Sequence, residues 1–217
     1  MQISCLKKKL FNVNVSDKEK IYKILKKIKI DICIYCAAVP HDKFAKENPE
    51  NTIIANCLGV NNFLNFKDQL NFKLIYISTG SVFQEIKSSK IKIDEKSQTS
   101  PKSLYAITKR LGELLVENSF KKKKNSTILR VSWVYGPPII TEKLDVQRGP
   151  LAYIFTKLFY NKLNSLKFSG GRDFEASFTY INDVILSLEK LIRLKSFSYP
   201  IYHLGSGKNY RLSLIEK

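Results

Sequence analysis

Glycine is absent from the start of this sequence: the first glycine of the 217-residue chain is Gly59. A Gly-rich turn that brings the backbone close to a nucleotide phosphate therefore has no place ahead of that position. Apolar runs as long as the ~18 residues of a membrane span are also missing. The opening residues, MQISCLKKKL, lack the apolar centre of a signal peptide. These absences predict a cytoplasmic protein with no membrane partner.

Metal-binding residue types are scarce as well, with two histidines and four cysteines in the whole chain. Cys33 and Cys36 form a CxxC, but they lie in the strand-like run DICIYCAAV. Side chains three positions apart on a strand point to opposite faces, so this pair cannot share a metal. We expect reduced thiols and no metal site.

Acidic residues are few relative to basic ones: the chain has 19 Asp and Glu and 37 Lys and Arg, which gives a formal net charge of +18. Such an excess is compatible with a nucleic acid or another polyanion as partner. Arginine, the usual reader of bases and clamp of phosphates, is rare among these cations. The lysines are scattered along the chain, with one run at Lys121–Lys124. We therefore favour a solvated basic surface with a general attraction to anions, and expect no nucleic-acid partner.

Strand-like and helical segments alternate along the chain. Continuous apolar runs of strand length, followed by helical periodicity, predict an α/β fold with a parallel sheet. After Pro137-Pro138 the pattern is looser, which favours a division into residues 1–138 and a smaller lobe, 139–217, interleaved with the end of the sheet. The predicted strands are 9–15, 31–39, 72–79 and 126–136; the predicted helices are 16–29, with Ser16 as N-cap, 49–70 and 103–119; looser segments span 148–163, 178–194 and 200–205.

The helix predicted at 103–119 carries a Tyr105-xxx-Lys109 pair on one stripe. The opposite stripe is apolar, and we expect it to face the core, leaving Tyr105 and Lys109 free. An isolated pair of this kind is commonly an ordinary surface feature, so its neighbours decide its meaning. The apolar stripe consists of Ile107, Leu111 and Leu114.

Small and hydroxyl side chains follow the two preceding strands. The strand at 72–79 ends in Ser78 and Thr79, and the strand at 31–39 ends in Ala37 and Ala38 before Val39. Ligands of open parallel sheets bind at the carboxyl ends of the strands. A tyrosine hydroxyl has a pKa near 10, and a neighbouring ammonium would lower it. We therefore expect Lys109 to lower the pKa of Tyr105, which would exchange a proton with a substrate oxygen held by Thr79.

These segments together resemble the extended short-chain dehydrogenase/reductases, the NAD-dependent epimerase/dehydratase group that acts on nucleotide sugars. The resemblance is carried by DICIYCAAV, NPENTIIANCLGVNNFL, ISTGSVF, SPKSLYAITKRLGE, ILRVSWVYGPP, ASFTYINDV and YHLGSGK, in that order. ILRVSWVYGPP is most similar to reductases of the dehydrorhamnose type. The resemblance implies a Rossmann-like doubly wound sheet, NAD or NADP as cofactor, a nucleotide-sugar substrate, and homodimers that pair through the helices carrying Asn56 and Tyr105.

Residue roles follow from the same resemblance. Thr79, Tyr105 and Lys109 correspond to the catalytic set, and Asn56 supports the proton relay. Ala37, Ala38, Ser78, Tyr105 and Lys109 are the expected cofactor contacts, and Thr79 also contacts substrate. Two arginines of the small lobe, Arg148 and Arg172, are candidates for the substrate diphosphate because a planar guanidinium suits paired phosphate oxygens; both could equally be ordinary surface arginines.

One departure from the family pattern is large. The usual first strand and its G-x-x-G-x-x-G turn are not found, and the sequence enters the pattern at its third strand, with Asn14 where an adenine-contacting Asp is common. The pattern also stops early, at RLSLIEK. We interpret the chain as an N-terminally incomplete sheet, from a fragment or a gene with a displaced start; alternatively, MQISCL is a shortened first strand.

Three functions compete at this point. The leading one is an NAD(P)-dependent nucleotide-sugar epimerase, dehydratase or reductase, with the activity of this incomplete chain left open. The second is a non-catalytic Rossmann-like binding module, and the third is a basic protein that binds anions or nucleic acid. The Thr79–Tyr105–Lys109 set favours the first over the second. The sequence leaves open the sugar, the choice among the three reactions, the choice between NAD and NADP, and the oligomeric state.

Overall fold

A parallel four-stranded sheet with the order β1-β2-β3-β7 organises the computed structural model, which describes residues 9–84, 92–136, 151, 154 and 175–211. Every neighbouring pair in this sheet is parallel. Its strands are β1 (Ile32–Tyr35), β2 (Lys73–Thr79), β3 (Ser126–Val131) and β7 (Ile201–Leu204).

Helices return the chain between these strands. The helices are α1 (Lys18–Ile28), α2 (Asp42–Glu47), α3 (Pro49–Ile53), a π-helical turn (Ile54–Leu58), α4 (Gly59–Leu70), a 3₁₀ turn (Gly80–Phe83), α5 (Leu104–Lys122) and α6 (Ile181–Arg193). Two small pairings complete the described part: β4 (Trp133–Tyr135) with β6 (Phe178–Tyr180), and β5 (Glu175–Ala176) with β8 (Tyr210–Arg211).

Apolar side chains fill both faces of the sheet. One cluster joins α1, α4 and α5 to the sheet and centres on Tyr76 and Phe66, both almost fully buried. The second lies under α6, where Leu191 and Phe197 pack against Ile75 and Leu129 of the sheet. Both β2 and β3 are covered on both faces, as the central strands of a parallel sheet are, and every residue of β3 is buried. The predicted parallel α/β fold is confirmed.

Several predicted boundaries are wrong. Residues 9–14 form no strand; Val13 and Val15 pack against the first cluster without joining the sheet. Within the described ranges β1 pairs with β2 alone. Val13 and Val15 are partly covered by side-chain packing and not by strand pairing. The N-cap of α1 is Asp17, whose side chain accepts from Lys20 N at 3.0 Å, in place of Ser16.

The helix predicted at 49–70 is interrupted by the π-helical turn Ile54–Leu58, a feature that apolar periodicity does not reveal. The strand predicted at 126–136 is divided into β3 and β4. Most of the segment at 148–163, including Arg148, lies outside the described residues, as does Arg172. In the part that the structure describes, no helix has the length and apolar character needed to cross a membrane.

Candidate active site

The carboxyl edge of the sheet brings together the ends of β1 and β2 and the start of α5. Thr79 is the last residue of β2 and also caps the following 3₁₀ turn, accepting from Ser81 N at 3.1 Å. Ser103 caps α5, and its hydroxyl is also bonded to the Asp42 carboxylate at 2.5 Å. Tyr105, at the start of α5, is thereby held beside the end of β2.

Helix α5 faces the sheet with the side opposite to the predicted one. Lys109, Gly112 and Val116 are buried, whereas the apolar stripe of Ile107, Leu111 and Leu114 is between 40% and 47% exposed. The prediction that this stripe faces the core is therefore wrong. The YxxxK stripe packs inward because Gly112 allows close approach: a Cβ there would lie 2.8 Å from Tyr76 Cζ and 2.9 Å from Asn56 O.

Tyr105 lies close enough to Thr79 for the threonine hydroxyl to stabilise the phenolate form of the tyrosine. Burial raises the pKa of Tyr105, the nearby Thr79 hydroxyl opposes this, and the Asp42 carboxylate raises it further. Lys109 is not among the groups that shift this pKa. The expectation that Lys109 lowers the pKa of Tyr105 is therefore wrong.

The Lys109 ammonium is held inside the protein, one turn along α5 from Tyr105. Its Nζ donates to Ile77 O at 2.5 Å and lies 4.1 Å from the centre of the Tyr76 ring. Burial lowers the pKa of Lys109 to about 8, and the Glu113 carboxylate acts in the opposite direction. This side chain can therefore carry or release a proton near neutral pH.

Asn56 lies in the π-helical turn and is fully buried. Its Oδ1 accepts from Val39 N at 3.0 Å, and its Nδ2 donates to Thr108 Oγ1 at 3.0 Å. The amide therefore ties the loop that contains Ala37 and Ala38 to α5. Single π-helical turns often occur at functional sites, and here the turn positions Asn56 between the two elements.

Glu113 is a residue that the sequence analysis missed. It is fully buried and accepts from Ser78 Oγ at 2.6 Å, from Arg130 Nε at 2.8 Å and Nη2 at 2.7 Å, and from Arg110 Nη1 at 2.9 Å. The network joins the end of β2 to α5 and β3. The sequence alone could have indicated Glu113, because it lies four residues after Lys109 and therefore on the same face of the predicted helix.

His203 of β7 extends the same network. Arg130 Nη1 lies 3.0 Å from His203 Nε2. A guanidinium can only donate, so this nitrogen accepts and the ring is neutral. Burial and Arg130 lower the pKa of His203, whereas Glu95, which accepts from His203 N at 2.9 Å, raises it. Sequence spacing could not place His203 here, because it lies 73 residues from Arg130.

The thiols near the site are held in the protonated form. Burial raises the pKa of Cys33 to about 12, and it also raises the pKa of Cys36 and Cys57, for which Lys109 acts in the opposite direction. No group of His, Cys, Asp or Glu that could hold a metal occurs within the described residues.

Comparisons with known proteins show the family and the fold of the chain. The family described as RmlD substrate binding domain matches residues 1–143. The uncharacterized protein MJ1055 of Methanocaldococcus jannaschii is 30% identical over 94% of the chain, and the dTDP-D-glucose 4,6-dehydratase of Dictyostelium discoideum is 27% identical over 91%. The Thermus thermophilus UDP-glucose 4-epimerase, solved in complex with NAD, is similar over 94% of the chain with a TM-score of 0.79 and 22% identity.

The chain is shorter than these relatives. It spans 62% of MJ1055, 46% of the Dictyostelium dehydratase and 66% of the Thermus epimerase. The structural likeness establishes a shared Rossmann-like fold.

Proposed function

Since the chain belongs to the family of the RmlD substrate binding domain, within the extended short-chain dehydrogenase/reductases that its motifs resemble, we propose that it acts on a nucleotide-linked sugar with NAD or NADP. The reaction is an epimerisation, a dehydration or a reduction at a sugar carbon. The observation that carries this proposal is the grouping of Thr79, Tyr105 and Lys109 at the carboxyl edge of the sheet.

Each of these side chains has a role that its surroundings support. Thr79, whose hydroxyl lies near Tyr105, holds a substrate oxygen at the tyrosine hydroxyl. Tyr105 gives a proton to that oxygen or takes one from it. Lys109, whose burial lowers its pKa to about 8, supplies a donor that can exchange its proton near neutral pH, and Asn56 keeps α5 in place through Thr108.

The residues present fit the nicotinamide and ribose side of the cofactor. The loop after β1 carries the small Ala37 and Ala38, both half-buried, next to Asn56 and the Lys109 side of α5. These residues, with Ser78, Tyr105 and Lys109, would hold that half. No Gly-rich turn precedes Gly59, so we assign no residue to the pyrophosphate. NAD or NADP, when bound, supplies the hydride chemistry.

The lobe at residues 139–217 holds the nucleotide sugar in this proposal, with Arg148 and Arg172 on its diphosphate. The remaining residues, 1–138, form the cofactor-binding part. We also assign the exposed stripe of Ile107, Leu111 and Leu114 to a homodimer. Ile53 and Leu58, which are also exposed, belong to the segment that Asn56 ties to α5, so a second copy would cover two adjacent helical elements of the same chain.

Binding and turnover are tested separately on this chain. Titration of NADH and NADPH fluorescence with the protein should give saturable binding, and adding dTDP- or UDP-linked sugars should produce a new sugar nucleotide detectable by chromatography. Cofactor binding without conversion of any nucleotide sugar would favour the binding module. Absence of both cofactor and nucleotide-sugar binding would overturn the proposal.

A further inference from the structure

The carboxyl ends of several helices lie together at one end of the molecule. The sheet strands are parallel and the helices between them run back, so the last turns of α1, α5 and α6 lie at the amino edge of the sheet. The candidate active site lies at the opposite, carboxyl edge. We call the amino edge, with these last turns and the loops that follow them, the basic pole.

Exposed cations concentrate at the basic pole. Lys26 and Lys27 lie in the last turn of α1, which is followed by Lys29. Lys121 and Lys122 end α5 and are followed by Lys123 and Lys124. Helix α6 contributes Arg193 and is followed by Lys195. Among the described residues none of these side chains makes an ion pair.

Hydrogen bonds between the helix ends and the strand starts make this pole a continuous surface. Lys73 Nζ donates to Leu194 O at 2.5 Å, which joins the start of β2 to the end of α6. Phe197 N donates to Lys124 O at 2.9 Å, which joins the segment after α6 to the end of α5. Lys73 N donates to Asp31 O at 2.9 Å, next to the end of α1. Lysines that are distant in sequence therefore share one surface.

Helix dipoles explain part of this concentration. A cation in the last turn of a helix is stabilised by about 0.3–1 kcal/mol, and the effect fades within that turn. Four consecutive lysines at the end of α5, together with Lys29 and Lys195 beyond their helices, exceed what the dipoles require. Their mutual repulsion favours an anionic partner that neutralises them.

The two poles differ in their balance of charge. In the described ranges the exposed acids near the basic pole are Asp31 and Asp68, and Asp68 is paired with Lys67 at 2.7 Å. Of the half-buried acids, Glu117 of α5 is paired with Arg110, and Glu189 lies on α6 one turn before Arg193. An anionic surface would therefore attract the molecule by the basic pole. At the site pole, acids lie among the lysines at the starts of the helices, including Asp17, Glu19, Asp42 and Glu50.

Apolar side chains lie among these cations. Tyr199 is 63% exposed, and its backbone accepts from Thr127 Oγ1 near the start of β3. Leu194 and Ile28, at the ends of α6 and α1, are partly exposed too. Lysines mixed with tyrosine and aliphatic side chains are typical of protein surfaces that rest on anionic lipid. A sequence reader of nucleic acid would be expected to use more arginine.

We propose that the basic pole is a docking surface for an anionic lipid bilayer, on which Tyr199 and Leu194 enter the headgroup region and the lysines meet the lipid charges. The candidate active site then faces away from the membrane. The proposal goes beyond the function proposed above and does not depend on it, because it uses none of the site residues. It replaces the prediction of no membrane partner, which rested on the absence of a spanning segment, because a surface that docks on a bilayer needs no such segment.

Co-sedimentation with vesicles tests the proposal on the full chain. The probes are vesicles of phosphatidylcholine alone and of phosphatidylcholine mixed with phosphatidylserine. We expect binding to the mixed vesicles only, decreasing with salt. The variant Lys121→Glu/Lys122→Glu/Lys124→Glu should weaken this binding about tenfold or more. The matched control, Lys18→Glu/Lys20→Glu/Lys23→Glu, changes net charge equally on exposed positions outside the pole and should retain most of the binding.

Three results would overturn the proposal. The first is absence of vesicle binding by the parent chain. The second is an equal loss of vesicle binding in the two variants, which would indicate an effect of net charge alone. The third is tighter binding to a single-stranded RNA oligonucleotide than to the mixed vesicles at equal salt. Circular dichroism checks that the variants fold. If the triple variant at α5 does not fold, Lys26→Glu/Lys27→Glu on α1 provides a second variant of the same pole, with Lys18→Glu/Lys20→Glu as its control.

Discussion

The carboxylate of Glu113 accepts two hydrogen bonds from Arg130, from Nε at 2.8 Å and from Nη2 at 2.7 Å, and both side chains are almost fully buried. The pair connects α5 to β3, and through Ser78 it connects both to the end of β2. The residues proposed to act on substrate lie on two of these three elements. We therefore regard the pair as the support that fixes their relative positions.

Breaking this pair should destabilise the fold. Glu113→Gln leaves the guanidinium of Arg130 buried without its full counter-charge, and a loss of about 3–5 kcal/mol in the free energy of unfolding is expected. Urea denaturation followed by circular dichroism measures it. Arg211→Gln is the control, because Arg211 is exposed and lies 3.8 Å from Glu175, so its loss should cost at most about 1 kcal/mol. Similar effects of the two changes would contradict the supporting role.

Removing the Tyr105 hydroxyl should abolish most turnover and leave the fold intact. Tyr105→Phe keeps the ring and removes the group proposed to transfer the proton, so turnover should fall about 10²-fold or more. The unfolding midpoint should change little, because the half-buried ring remains. Tyr22→Phe, on α1 and packed against Phe66, is the matched control and should retain full turnover. Full turnover in Tyr105→Phe would remove this residue from the mechanism.

The titration of Lys109 should appear in the pH dependence of stability. Its pKa is lowered by burial to about 8, below the ~10.4 of an exposed lysine. Between these values the unfolded chain binds the proton and the folded chain does not, so this residue makes stability rise with pH across that interval. Below about pH 8 its burial costs roughly 3 kcal/mol.

Lys109→Met isolates this contribution. Buried thiols and tyrosines have raised pKa values and act with the opposite sign, but they contribute to both proteins. The difference in unfolding free energy, methionine variant minus parent, should therefore be largest near pH 7 and decrease toward pH ~10.5. A difference that does not change with pH would mean that Lys109 titrates as an exposed lysine.

The space around Gly112 should be too small for a side chain at this position. In Gly112→Ala the new Cβ would lie 2.8 Å from Tyr76 Cζ and 2.9 Å from Asn56 O. Overpacking of this kind costs about 1–3 kcal/mol, which opposes the ~1 kcal/mol that alanine gains within a helix. We expect a net loss of stability in urea denaturation. Gly80→Ala is the control and should be nearly neutral, because nothing lies within 4 Å of the new Cβ. Equal losses of stability in the two variants would mean that α5 lies further from the sheet than the structure shows.

The exposed apolar stripe of α5 should control association. Leu111 is 47% exposed at the centre of this stripe, and Leu111→Glu would place a charge in the proposed contact between two copies. Light scattering after gel filtration should give a dimer for the parent chain and a monomer for this variant. Ile185→Glu, on α6 and equally exposed, is the control and should remain dimeric. A monomeric parent chain would contradict the dimer.

Much of the fold could be predicted from the sequence, because long apolar runs and helical periodicity are local signals. The strand predicted at 72–79 is Lys73–Thr79, and the helix predicted at 103–119 is Leu104–Lys122. The pairing of a hydroxyl-rich strand end with a YxxxK helix also follows from order along the chain, since parallel strands share one carboxyl edge. The roles assigned to the site residues, including Arg148 and Arg172, remain predictions.

Only the tertiary structure decided which side of α5 is buried. Periodicity placed Ile107 and Leu111 inside, yet they are exposed, while Lys109 and Glu113 are buried. Lys109 donates a hydrogen bond to Ile77 O, and Glu113 accepts hydrogen bonds from Ser78 and Arg130; these partners lie on β2 and β3. Hydropathy cannot anticipate this, because the cost of burying a charge depends on partners distant in sequence.

The lysines illustrate the same division between sequence and structure. The sequence by itself determined their number and the net charge of +18, and along the chain they are scattered. The fold brings the lysines that end α1 and α5 to one edge of the sheet, because helices that connect parallel strands all end at the same side. Composition therefore fixed how much positive charge the protein carries, and topology fixed where it is concentrated.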